Sequence, residues 1–481
     1  MMGPRMCATR IGPGRTSVGP YPGAVPRLPD ERTRTHESER MRPSSAPGDA
    51  DRGDAAIPAP PSPTDPAHRP ALEATEIPVG TATEVPLETT DEIPIRLPHD
   101  PAEAPAQAER PTGVTPIELF FDLVFVFVLT QATHQVESHP GWSGLLQGML
   151  PLAAMWWMFG AFSWLTNAVR PDATAVRLLL ALTMTSFFVM GLDLPYAFDP
   201  DGWAFGLAFL VAVGMHVALF LTAAEPSARS GIVRLAPFNA AGGLLILIAP
   251  HLPDAGTWAC WAAAVAVLYL SMVIGRVRGF VVEPHHFVER HGLIILIVLG
   301  ESVVAVGIGA GGRPVDWRLA GGILLGIAVA TGIWWTYFGG DDERTVRAMS
   351  DASVERRQML GYVAFGLAHA VMIAGIVLVA AGISDGIHHL GTDTNRWWLG
   401  AGVATFLLGH AWHRHVLGTG PVAAQITAAV VVIPLTASLA GAGWAALTAA
   451  TLVLTAMTVT EHLRQTRPTR TPEVRPTPAA A

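Results

Sequence analysis

From Ile117 onward, apolar runs of about 20 residues follow one another with short polar breaks, each long enough to cross a hydrocarbon core as a helix. Inside that core no water is available to bond with a bare backbone, so such runs fold as a bundle of spanning helices. Twelve spans are expected, at approximately 117–136, 143–165, 176–195, 203–223, 233–250, 257–275, 288–309, 318–339, 359–382, 396–416, 422–440 and 442–460. The fifth contains Pro237 and Asn239, and the last two are parted only by Gly441 to Gly443; a merger at these weak breaks would leave ten or eleven. Half of the 481 residues are apolar and 15% are charged, a balance too apolar for a soluble enzyme of this length. The expected fold class is all-α, a polytopic integral membrane protein.

Residues 1–113 are rich in Pro, Thr, Ala and charge without apolar periodicity, and are expected to be a disordered tail; 462–481 form a second, Arg/Pro/Thr-rich tail. The start of the chain lacks the apolar core of roughly 7–15 residues that marks a cleavable signal peptide, so insertion is expected to begin from internal helices. The only cysteines are Cys7 and Cys260, which excludes a disulfide framework and a thiolate metal site. Arginine sorts by side. Loops on the side of the N-terminus carry Arg170, Arg177, Arg229, Arg234, Arg276, Arg278, Arg290, Arg344, Arg347, Arg356, Arg357 and Arg414, while the opposite loops carry Arg313, Arg318 and Arg396. The positive-inside rule then puts both termini in the cytoplasm and favours an even number of spans in the plasma membrane.

An internal echo divides the chain. Met155-Trp156-Trp157-Met158-Phe159 in the second span is answered by Ile333-Trp334-Trp335-Thr336-Tyr337-Phe338 in the eighth, and the Glu-led first span by Phe287-Val288-Glu289-Arg290-His291-Gly292-Leu293. Two six-helix halves are expected, 114–278 and 279–461. Because six is even, they would be parallel repeats about an axis along the membrane normal.

Polar residues inside the spans are the candidates for function. Glu118 and Asp122 lie four residues apart and so share one helix face. A charge deep in a spanning helix costs about 3 kcal/mol on insertion scales, so it faces a bundle interior, a partner or a water cavity. Glu301 lies midway along the seventh span. Arg290, eleven residues earlier, points the same way but sits about 16 Å off along the axis, so the two cannot pair. Two readings fit Glu301: an ion or proton site, and a hydrogen-bonded structural acid. Asp193, just before Pro195, fits an interfacial cap. His216 and His410 occupy similar places in the two halves, and Asn239 and His369 are further intramembrane polar groups. The clusters His285, His286, Glu289, His291 and His410, His413, His415 lie near helix ends, where polar residues are ordinary, and no metal or other cofactor is assigned to them. No P-loop, no Gly-rich dinucleotide turn and no nucleophile elbow is present, and no enzyme activity is expected.

The combination Glu118-Leu-Phe-Phe-Asp122-Leu-Val-Phe, Trp156-Trp157, Glu289-Arg290-His291-Gly292-Leu293, Leu299-Gly300-Glu301 and Trp334-Trp335-Thr336-Tyr337-Phe338 resembles the bacterial low temperature requirement A family over roughly residues 112–460. The resemblance implies a multi-helix membrane protein linked by name to growth in the cold, and no established biochemical activity. Glu118, Phe120, Asp122, Val124 and Phe125 are also similar in spacing to the first-helix motif of endosomal-type potassium channels, which consist of six-helix repeats and line their pore with it. The chain departs at Phe121, where those channels have serine, and at Leu293, where the second repeat would need aspartate. The expected function is a transporter or permeation pathway for a proton or monovalent cation, with Glu118, Asp122 and Glu301 lining one polar cavity and Glu289, Arg290, His216 and His410 as further cavity candidates. The alternative is a non-transporting membrane factor whose acids are structural. The lipid bilayer is the expected partner, nucleic acid is not, and a homo-oligomer is allowed.

Overall fold

The computed structural model describes residues 113–168, 173–223, 226–274, 280 and 282–465. Among them all regular structure is helical: α1 Pro116–Ser138, α2 Trp142–Ala168, α3 Thr174–Asp193, α4 Trp203–Ala223, α5 Pro226–Ile248, α6 Asp254–Ile274, α7 Pro284–Ala310, α8 Trp317–Phe338, α9 Asp342–Ser350, α10 Val354–Leu360, α11 Ala368–His388, α12 Trp398–Leu417, α13 Ala423–Ser438 and α14 Gly443–Gln465. A π-helical stretch, Gly361–Leu367, joins α10 to α11 without a break. The tail expected over 1–113 lies outside the described residues as far as 112. The second expected tail begins too early, since α14 remains helical through 462–465.

Among the described residues, ten helical segments are long and apolar enough to cross a membrane. Two further helices occupy expected spans. α12 has 20 residues but carries His410, His413, Arg414 and His415. α13 has 16 residues, a rise of about 24 Å. The long helices are apolar on every side, and Leu123, Leu178, Leu324 and Val430 face outward at 60–70% exposure, as lipid contact requires. α5 starts at Pro226, ahead of the expected 233, because its polar first turns are helical too. Sequence periodicity passed over α9, an amphipathic helix that buries Thr345 and Met349, four residues apart.

The packing order repeats. In 114–278, α1 packs on α2 and α3, α3 on α4, α4 on α5, α5 on α6, and α6 returns to α2. In 279–461, α7 packs on α8 and α11, α11 on α12, α12 on α13, α13 on α14, and α14 returns to α8. The two sets meet where α1 touches α7 and α11, and where α2 touches α7.

Candidate functional site

The α1–α7 contact holds the acids singled out in the sequence. Thr115 starts α1 with Pro116 in its first turn, and the Glu118 side chain turns back so that Oε2 accepts from the Thr115 backbone N–H at 2.9 Å and from its hydroxyl at 2.8 Å. This capping leaves Glu118 Oε1 pointing across to α7, where Arg290 Nη1 donates to it at 2.6 Å. Arg290 Nη2 donates to Asp122 Oδ1 at 3.2 Å, one turn further along α1. From the other side α2 contributes Ser163, which accepts from Arg290 Nε at 3.2 Å, and Thr166, which accepts from Nη1 at 3.0 Å. The guanidinium lies 5.7 Å from the Phe159 ring centre. Arg290, Glu118 and Asp122 are 1%, 2% and 0% exposed, so a complete ion-pair cluster is sealed inside the helices. His286 Nε2 flanks it, 3.4 Å from Glu118.

The chain places this cluster through its caps. Glu283 caps α7 by accepting from the backbone N–H groups of His285 and His286. Asn167, near the end of α2, accepts from the Glu283 backbone N–H at 2.9 Å. The end of α2 is thereby tied to the start of α7, which holds Ser163 and Thr166 against Arg290.

Glu301 is not part of that cluster. It is 0% exposed, and its Oε2 accepts from the Thr130 hydroxyl at 2.7 Å. Thr130 lies eight residues beyond Asp122, about 12 Å of helix rise. The intervening faces carry Phe125 and Leu129 on α1 and Ile294 and Val298 on α7, all 0% exposed. The expectation of one cavity lined by Glu118, Asp122 and Glu301 is therefore corrected: the structure has two polar rungs on an α1–α7 ladder with a dry apolar layer between them. As the spacing argument required, Arg290 and Glu301 do not pair.

The remaining candidates scatter. Glu289 is half-buried, and its Oε2 has no hydrogen-bond partner among the described residues. Asp193 caps α4, accepting from the Phe205 N–H at 2.7 Å. His216 Nε2 donates to the Ala161 carbonyl of α2 at 3.0 Å and lines a cavity of about 60 Å³ walled by Trp156, Trp157, Trp164 and Tyr269. Trp157 donates to Asn239 Oδ1 at 2.9 Å, whereas Trp334 and Trp335 are 39% and 56% exposed, so the paired tryptophans of the two halves differ in environment.

His410 and His413, clustered already in the sequence, belong to a longer chain of buried rings whose other members stand on other helices. His291 stands 5.4 Å from His369, His369 5.0 Å from His413, and His413 6.2 Å from His410. The π-helical stretch organises two of them: the Ala364 carbonyl accepts from Nδ1 of His369 at 2.8 Å and of His413 at 3.1 Å. With Nδ1 carrying the proton, His369 Nε2 is free to accept from the Tyr337 hydroxyl at 3.0 Å. Gln425 donates to His410 Nδ1 at 3.1 Å. Among the described residues no group of three or more His, Cys, Asp or Glu is arranged to hold a metal ion.

Sequence reading missed Ser163 and Thr166 around Arg290 and Thr130 on Glu301, and it put His286 in a histidine cluster without placing it beside Glu118. Ser163 and Thr166 could have been found, since they sit three apart on one face of an otherwise apolar span and a buried arginine needs such acceptors. A family model described as bacterial low temperature requirement A protein matches residues 113–459. An uncharacterized protein of Rhizobium meliloti (strain 1021) is 26% identical over 328 residues, covering 62% of this chain and 76% of that one.

Proposed function

The chain belongs to the bacterial low temperature requirement A family, and from that premise we propose that it is a transporter or permeation pathway of the plasma membrane, moving protons or monovalent cations by way of intramembrane carboxylates. One observation carries this reading. Glu301 is wholly buried midway along a spanning helix, its partner is a threonine hydroxyl and not a base, and its Oε1 has no hydrogen-bond partner among the described residues. A carboxyl group in such a place balances its charge with a proton or a bound cation, and buried ionisable groups of this kind mark conduction paths. The Arg290 cluster adds a second exchangeable rung: two carboxylates share one guanidinium, and Asp122 Oδ2 has no hydrogen-bond partner among the described residues.

In this reading α12 and α13 also span, giving twelve helices with both termini in the cytoplasm. The matching packing orders of α1–α6 and α7–α14 support two parallel six-helix repeats, with the acids at the contact between them. His216 and His410 fit the same symmetry. Each sits on the fourth spanning helix of its half and faces that half's second, His216 at Ala161 of α2 and His410 at the Tyr337 ring of α8.

A second reading, a non-transporting membrane factor, draws on one observation: the hydrogen bonds of Arg290 to α1 and α2 make a cluster that would serve equally well as internal glue. Proton and cation flux into liposomes separates the two. Wild type is expected to conduct, and Asp122→Asn or Glu301→Gln to lose most of the flux while remaining folded. Silence of the wild type under H⁺, Na⁺ and K⁺ gradients would sink the ion pathway.

A further inference from the structure

Beyond Thr130, the stripe on α1 that faces Glu301 continues with oxygen. Thr133 is three residues on and Glu137 seven, so the three share one helix face. Thr133, 2% exposed, brings its hydroxyl beside the Glu301 carboxyl without reaching hydrogen-bond geometry, and that hydroxyl has no other partner among the described residues. Glu137 lies against the Ser384 hydroxyl of α11 and within the field of Glu301 and Asp385, and its Oε1 has no hydrogen-bond partner among the described residues. α11 comes this near because Gly309 of α7 meets the Ser384 backbone, where an added Cβ would lie 2.6 Å from the carbonyl oxygen. Three buried oxygens without a hydrogen-bond partner among the described residues, Glu301 Oε1, Thr133 Oγ1 and Glu137 Oε1, therefore belong to side chains at the junction of α1, α7 and α11.

We propose that this junction is a binding site for a dehydrated alkali-metal cation, held by the carboxylates of Glu301 and Glu137 and the hydroxyls of Thr130 and Thr133; the proposal rests on reading Glu301 as a transport carboxylate. The donor set is all oxygen, the choice of hard cations, with no imidazole or thiolate to attract a transition metal. The charge favours a monovalent ion. Glu301 is the wholly buried acid and calls for one balancing charge, whereas Glu137 is half-buried. The route in is proposed to start from the face where α1 ends. Asp385 sits one turn before His388 and His389, which line an open cavity of about 1040 Å³ together with Arg313, Asp316 and Thr392.

The test is equilibrium binding of ²²Na⁺, and of ⁸⁶Rb⁺ as the K⁺ congener, to the full-length purified protein in nanodiscs at fixed pH and ionic strength. Saturable binding of one alkali ion per chain is expected. Glu301→Gln should abolish it, and the isosteric Thr133→Val should weaken it about tenfold, while Thr185→Val, which removes an exposed hydroxyl on α3, should leave it unchanged. Thr133→Val keeps the test decisive if Glu301→Gln fails to fold. Absence of saturable Na⁺ and Rb⁺ binding, binding of Mg²⁺ or Ca²⁺ alone, or alkali binding indifferent to Thr133→Val would overturn the site. Flux without alkali binding would remove the site and leave proton transport standing; alkali binding without flux would do the reverse.

Discussion

Arg290 donates two hydrogen bonds to α1 and two to α2, and this sets what its loss should do. Arg290→Met leaves Glu118 and Asp122 buried together with no cation, and removing one partner of a buried pair costs about 3–5 kcal/mol. A large drop in thermal stability in detergent is expected. The triple change Arg290→Met, Glu118→Gln, Asp122→Asn should recover much of it, because no charge is then stranded. Ser163→Ala, which deletes one neutral acceptor, should cost only about 1 kcal/mol. If Arg290→Met unfolds no earlier than wild type, the cluster is not holding the two halves together. At this scale the sequence exposed which residues were costly but not who met whom. Spacing along one helix excluded an Arg290–Glu301 pair; it carried no information on Glu118, 172 positions away on another helix.

At the scale of the element, closeness between helices is set by glycine. Gly375 and Gly382 of α11 face α12, and Gly402 and Gly409 of α12 face α11, each pair seven residues apart. A Cβ on Gly375 would stand 2.5 Å from the Phe406 backbone nitrogen, and one on Gly402 2.6 Å from that of Val379. In lipid, helices hold one another through such backbone-close packing, with no hydrophobic gain to help. Gly402→Val should therefore push α11 and α12 apart and reduce the monodisperse fraction on size-exclusion chromatography, while Gly307→Val, at a position with open space around it, should not. The helices themselves were legible, because apolar length is written locally. The π-helical stretch over Gly361–Leu367 was not, since its extra residue per turn is fixed by what packs against it, His369 and His413 converging on one carbonyl.

For the whole molecule, sidedness is the claim most open to a direct measurement. After replacement of Cys7 and Cys260, a single cysteine at Thr392 should react in whole cells with a membrane-impermeant maleimide, and one at Val354, which is 59% exposed, should react only after lysis. The reverse pattern would invert the protein. The second half is braced at the latter face by Arg414 of α12, whose guanidinium reaches Asp341, the residue before α9, and Glu461 of α14, both at 2.8 Å, and so links the start of α9 with α12 and α14. Across the membrane the apolar layer of Phe125, Leu129, Ile294 and Val298 separates the two polar rungs of the α1–α7 ladder. Electrically this layer is one slab of a thicker dielectric, because the Arg290 cluster and the Glu301 carboxyl on either side of it are themselves closed to water. The membrane potential falls across all of that thickness, and the ~12 Å between the rungs takes only its share. A unit charge crossing the whole membrane would be worked on by about 2.3 kcal/mol per 100 mV, which would make the cell's own membrane potential the control on any current that takes this route.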